Sequence, residues 1–147
     1  MKINFNNLSF EDYVTEQRKF GLDYGTLFLE LKRGYAPLNF DADNKTHAKK
    51  IARSIKKLYD VTKCYKILFR KSPSRRGYHF TVLKNGKQLF LPIKKVLRIR
   101  RKCFDCFGRM KADKIRAKRG LPISILFNHK NLKDATMWRE LKYLKDL

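Results

Sequence analysis

From residue 35 onward the chain alternates between two hydrophobic periodicities. The segments "YAPLNFDA", "CYKILFRK" and "YHFTVLK" each carry one clean apolar row at every second position, as half-buried strands do. Between the first two lies "NKTHAKKIARSIKKLYD", whose Ala48, Ile51, Ala52, Ile55 and Leu58 recur at helical spacing and share one face. "SPSRRG" carries the Ser, Pro and Gly of a turn, and "NGK" marks a tighter one. "LPIKKVLRIRRKCFDCFGRMKADKIRAK" reads as mostly helical, with Pro92 in its first turn and a break near Gly108. "LPISILFN" follows Gly120 and reads as a fourth strand; "KDATMWRELKYLKDL" reads as a closing amphipathic helix. Residues 1–34 read as a helical extension. Its helix covers 9–20, with Ser9 as cap, Glu11 and Asp12 at the positive end and Gly21 after the close. Residues 24–33 fit helix and strand equally and end at Gly34.

The order β-α-β-β-α-β, then α, predicts an α+β domain over residues 35–147. It is the RRM-like or ferredoxin-like split βαβ arrangement, with helices on one face of the sheet. Right-handed crossovers place the first strand beside the third in the middle of an antiparallel sheet. Strand parity then sorts the side chains. Leu38, Phe40 and Ala42, with Ile67, Phe69, Tyr78, Phe80 and Val82, form apolar rows for the helices. The opposite rows bring Asp41, Asp43, His79 and Arg70 together on the other face.

Charge changes the picture most. The 147 residues include 36 Lys and Arg against 13 Asp and Glu, a net charge of +23. Between residues 44 and 120 the acids are only Asp60, Asp105 and Asp113, amid a dense run of bases. Such a field repels itself unless a polyanion neutralises it, which points to nucleic acid, DNA first. A membrane fits less well, because no segment is a long apolar run with charged flanks. The Lys-rich composition of thermophile proteins comes with abundant Glu, and this chain is not Glu-rich. No signal peptide is read at "MKINFNNLSFEDYV", and three cysteines do not make a disulfide framework, so a cytoplasmic setting is expected.

Two carboxylates two residues apart on one strand face repel each other unless a cation sits between them. Their oxygens suit Mg²⁺ or Mn²⁺, and the positive surroundings draw phosphates that complete the metal's shell. Ser72, Ser74, Arg75, Arg76, Arg70, Lys71 and His79 are the candidates to hold those phosphates. Lys94, Lys95, Arg98, Arg100, Arg101 and Lys102, in "KKVLRIRRK", are candidates for tracking a nucleic-acid backbone; the same run also reads as a solvated helix face.

The D-x-D of "DAD" at the end of the first strand and the S-x-x-G-x-H of "SRRGYH" leading into the third resemble the archaeo-eukaryotic primase and primase-polymerase superfamily. The resemblance covers about residues 35–128. It implies an RRM-like catalytic core of a minimal archaeal or viral kind, working in DNA replication with a possible replication-protein partner. Asp41 and Asp43 would hold the metal, and Ser74 with His79 would contact a nucleoside triphosphate. A third carboxylate would follow on a later element; Asp113 is the choice over Asp105. Arg75 stands where members of that superfamily often have glycine. A non-catalytic DNA- or RNA-binding module on the same fold, and a metal-dependent nuclease, are the alternatives.

A rival reading takes "RGYHFTVL" as an RNP1 motif, with Tyr78 and Phe80 facing outward to stack on bases. It would bury Asp41 and Asp43 without partners. Cys103 and Cys106 form a C-x-x-C with no second pair, so unbound thiols are expected. His47 is read as solvated, His129 as a loop residue, and Trp138 with Leu141 and Leu144 as a packing stripe. Asp43 and Asn44 can also serve simply as a helix cap.

Overall fold

The computed structural model describes Glu30, residues 32–59, 64–121, 123–124, 126, 129–130 and 133–147. The helix expected over 9–20 and almost all of the N-terminal extension lie outside the described residues. Gly34 follows the helical Glu30 and Lys32 with φ +74, the left-handed conformation that ends a helix.

Strands and helices then follow in the order β1 (Tyr35–Pro37), β2 (Asn39–Ala42), α1 (Lys45–Leu58), β3 (Tyr65–Lys71), β4 (Tyr78–Lys84), β5 (Lys87–Gln88) and β6 (Phe90–Pro92). After these come α2 (Ile93–Lys102), α3 (Phe107–Lys118), β7 (His129–Lys130), β8 (Lys133–Asp134), β9 (Arg139–Glu140) and a 3₁₀ turn at Leu144–Asp146. The fold is α+β with antiparallel sheets. The main sheet runs β2-β4-β3-β9, and β5 pairs with β4. Among the described residues no helix is long and apolar enough to cross a membrane.

The expected parity is what the sheet adopts. Leu38, Phe40, Ala42, Ile67, Phe69, Tyr78, Phe80 and Val82 join Ala48, Ile51, Ala52 and Ile55 of α1 in one core. Each Ile or Phe buried there contributes about 1.5–3 kcal/mol. Asn44 caps α1 by accepting the His47 N–H at 2.8 Å. Tyr78 and Phe80 are 6% and 0% exposed, so they cannot stack on bases and the RNP1 reading falls.

The structure departs from four expectations. The first strand is split at Leu38: β1 pairs with β6, whereas β2 pairs with β4. The long helix breaks at Cys103–Cys106, with Phe104 at φ +66, and Gly108 lies inside α3. Asp105 is the reason, because its carboxylate accepts the N–H groups of Asp41 (2.7 Å) and Cys106 (2.9 Å) and so ties the corner to the edge of β2. Of the expected strand over 121–128, the described Leu121, Ile123, Ser124 and Leu126 are irregular. Ser124 has φ +60; its N–H goes to Asp113, and its carbonyl accepts the Asn39 side chain at 2.7 Å in place of a ladder.

The closing helix expected over 133–147 is the fourth departure. Its residues form β8, β9 and the 3₁₀ turn instead. β9 pairs with β3, Leu68 opposite Glu140 and Phe69 opposite Arg139. Thr136 binds the Lys71 backbone through both its hydroxyl and its N–H, and the Leu141 N–H reaches Ile67 O at 2.8 Å. The helical spacing of Leu141, Leu144 and Leu147 is met by an irregular path that still lays all three against the core.

Candidate functional site

Asp41, His79 and Arg70 stand side by side across three strands: Asp41 is paired with His79, and His79 with Arg70. The row lies on the sheet face away from α1. Asp43 follows just beyond the end of β2. Opposite it, the β3–β4 turn is built by hydrogen bonds from Ser72 N–H to Gly77 O (3.0 Å) and from Arg75 N–H to Ser72 O (2.9 Å). Within the turn the Ser72 and Ser74 hydroxyls are 3.0 Å apart, and Ser74 Oγ accepts the Arg76 N–H at 3.3 Å. Arg75 has φ +66, the left-handed region in which glycine is the easy occupant. Gly77 is required for a different reason: a Cβ there would lie 2.4 Å from Ala42 O, so only glycine lets the turn press against the end of β2.

Together these groups enclose a cavity of about 360 Å³, lined by Asp41, Ala42, Asp43, Ser72, Pro73, Ser74, Arg76, Gly77 and His79. On the far side of the turn a second cavity of about 500 Å³ has Lys71, Arg75 and Arg139 in its lining. Arg70 lies behind His79. It is 1% exposed, and its Nε donates to His79 Nδ1 at 3.0 Å. Arg70, Lys71 and Arg75 are therefore absent from the lining of the acidic cavity, which Ser72, Ser74, Arg76 and His79 share with the aspartates.

The two sides of this cavity are electrostatically unlike. Burial, then Arg70 and Arg109, hold the His79 imidazole well below its usual pKa, so the ring is neutral. Its Nε2 lies 3.8 Å from Asp41 Oδ1. Burial pushes the Asp41 carboxyl up to about 6; Arg109 opposes this, and Asp105 and Asp43 add to it. Asp43 keeps 65% of its side chain exposed. Its N–H donates to His47 Nδ1 at 3.0 Å, and His47 Nε2 contacts Phe104 O at 2.6 Å. His47 thus ties the start of α1 to the α2–α3 corner instead of standing free in solvent.

Asp113 lies outside the cavity lining. Arg100 (2.7 Å), Arg116 (2.9 Å) and the Ser124 N–H (3.0 Å) surround its carboxylate. Burial raises its pKa, but Arg100, Arg109 and that N–H outweigh burial and leave it below the usual value. Asp105, which directly contacts the Asp41 backbone, is held by Arg100 at 2.6 Å and Arg109 at 2.7 Å. Both acids are occupied by guanidinium groups. Arg100 is itself 0% exposed and cannot track a nucleic-acid backbone; Lys94, Lys95, Arg98, Arg101 and Lys102 are exposed on α2. The residue that sequence reasoning passed over is Arg109, the strongest cationic influence on Asp41. Its i,i+4 spacing from Asp105 was the available signal.

Among the described residues no three His, Cys, Asp or Glu side chains gather to hold a metal by themselves. Asp41 and Asp43 nevertheless fit a hard divalent cation. They put two oxygen-donor groups on one cavity, and a carboxylate whose charge is disfavoured gains from a cation beside it. Cys103 and Cys106 are free thiols, both pushed up by burial, Cys103 to about 11. Comparison of the chain with known protein families, curated proteins and solved structures finds no match.

Proposed function

We propose that this chain is a divalent-metal-dependent nucleotidyltransferase of the minimal primase-polymerase kind, acting on a DNA template on an RRM-like core. One observation carries the reading: Asp41, Asp43, His79 and the Ser72–Gly77 turn surround a single cavity on the polar face of the sheet, in a chain of charge +23. The RRM-like part is supported by the order β2-β4-β3, with α1 between β2 and β3. On the outer edge of β2, where such a core would carry a fourth strand, the backbone of Asn39 and Asp41 is taken instead by Asp105, Cys106 and Arg109.

Asp41 and Asp43 would hold Mg²⁺ or Mn²⁺. Such an ion, when bound, supplies Lewis-acid stabilisation of phosphoryl oxygens and lowers the pKa of an attacking hydroxyl. The chain's own contribution is binding and orientation. Arg76 and the hydroxyls of Ser72 and Ser74 bind the oxygens of a triphosphate, and His79 donates to them from Nε2. The turn, pressed on Ala42 by Gly77, holds these donors at a fixed separation from the aspartates. Asp41 accepts a cation only as its carboxylate, which sets a lower pH limit for the reaction.

A second reading, a non-catalytic DNA- or RNA-binding module, is favoured by one observation: both Asp105 and Asp113 are neutralised by arginines, and among the described residues no third acid lines the cavity beside the aspartate pair. Incubation with a DNA template, nucleotides and Mn²⁺ separates the readings. Extension products from the wild type that vanish in Asp41→Ala/Asp43→Ala support the transferase. Nucleic-acid binding by both proteins without product from either supports the binding module. Shortened substrate in the absence of nucleotides identifies a nuclease.

A further inference from the structure

Arg70 donates from Nε to His79 Nδ1, and an arginine N–H can only donate. The acceptor must therefore be a bare lone pair, and a neutral imidazole with an unprotonated Nδ1 carries its hydrogen on Nε2. Nε2 lies toward the cavity, 3.8 Å from Asp41 Oδ1, which is beyond hydrogen-bond reach. Arg70 is held in turn. Its guanidinium carbon stacks 4.3 Å from the Trp138 ring centroid. Trp138 is brought there by the segment leading into β9, anchored to Lys71 by Thr136. A residue about seventy positions along the chain thus secures the group behind the histidine.

We propose that Arg70, clamped by Trp138, is a positioning residue that fixes His79 as the Nε2–H tautomer, making the imidazole a permanent hydrogen-bond donor to an anionic oxygen in the cavity. What the donor grips rests on the nucleotidyltransferase reading; the tautomer does not. The arrangement excludes two other duties. A metal on Nε2 would force the ring's remaining hydrogen onto Nδ1, against the Nε–H of Arg70. A general base would need Nε2 bare, with the same conflict. The charged groups facing the ring, Arg70 and Arg109, disfavour the imidazolium, and the Asp41 carboxylate opposes them. A lysine in place of Arg70 would keep the charge but lose the planar stack and the directed Nε–H.

The test is long-range ¹H–¹⁵N correlation NMR of the histidine rings at neutral pH, with His47 and His129 as internal references. Wild type should show His79 with an unprotonated Nδ1 and a protonated Nε2. Arg70→Met should give mixed tautomers or an imidazolium on mild acidification, while the other two histidines stay as they were. Trp138→Leu should move His79 the same way to a lesser degree, and it serves if Arg70→Met does not fold. Adding dATP with Mg²⁺ should shift the Nε2–H resonance in wild type, and its apparent affinity should fall about five- to tenfold in Arg70→Met. A wild-type ring protonated on Nδ1, or an unchanged Nε2–H tautomer in both variants, would overturn the proposal. The correct tautomer with no synthesis activity would retain the positioning role and discard the transferase.

Discussion

Asp41 is where local energetics and chemistry oppose each other. Its carboxyl, at 3.8 in a free chain, is raised to about 6 because burial disfavours the charge and Asp105 and Asp43 oppose it further, while Arg109 compensates only in part. Between those values the folded chain holds a proton that the unfolded chain has released. Asp41 therefore favours the folded state most at low pH, and this contribution is lost as pH rises toward 6. Asp41→Asn removes the penalty. It should raise stability at pH 7 by on the order of 1 kcal/mol, a modest figure because a third of the side chain meets water. It should also flatten this residue's contribution to the pH dependence of stability between about pH 4 and 6, read by urea unfolding across that range. The same variant should lose metal-dependent nucleotide binding, and in wild type that binding should strengthen as pH climbs through about 6. A site kept at the expense of stability is what a functional carboxylate looks like.

At the scale of elements, the α2–α3 corner is the piece that local pattern misread. Periodicity alone runs the helix through Asp105, because Cys103, Phe104, Cys106 and Phe107 satisfy either a helix or a corner. Buried ion pairs decide for the corner. Arg100 reaches Asp105, Asp113 and the Ser124 hydroxyl, and Asp105 in turn takes the backbone N–H of Asp41. Removing one partner of such a network leaves uncompensated buried charge. Arg100→Met should thus cost about 3–5 kcal/mol in chemical denaturation, whereas Arg98→Met, on the exposed side of the same helix, should stay within about 0.5 kcal/mol. Equal effects at both positions would show that the network carries no stability.

At the scale of the molecule, exposed bases are spread over α1, α2 and α3, such as Arg53, Arg98 and Lys114, whereas the lining of the acidic cavity holds only Arg76 among the described bases. Nucleic-acid affinity should accordingly fall steeply with salt. On single strands, each cation that neutralises a phosphate adds about 0.7 to the steepness of log K against log salt, so Lys94→Ala, Arg98→Ala and Arg101→Ala combined should reduce it by up to about 2. Anisotropy titrations over a series of salt concentrations measure this. A salt-independent affinity would remove the polyanion from the account altogether.

Much of the candidate site was legible because strand parity is a local property. Leu38, Phe40 and Ala42 alternate with Asn39 and Asp41, and Tyr78, Phe80 and Val82 with His79 and Thr81, so burying one row forces the acids and the imidazole to the other. The first helix and the turn ahead of His79 follow from equally short-range signals. What covers the edge of β2, what pairs with β3 and what stands behind His79 was settled only in three dimensions. Asp105 displaced a strand ladder at the first, residues near Thr136 and Arg139 supplied the second, and Trp138 with Arg70 the third. Each is a contest among distant groups for the same hydrogen-bond donors, acceptors and ring faces. Spacing along a chain records which groups exist, not which of them meet.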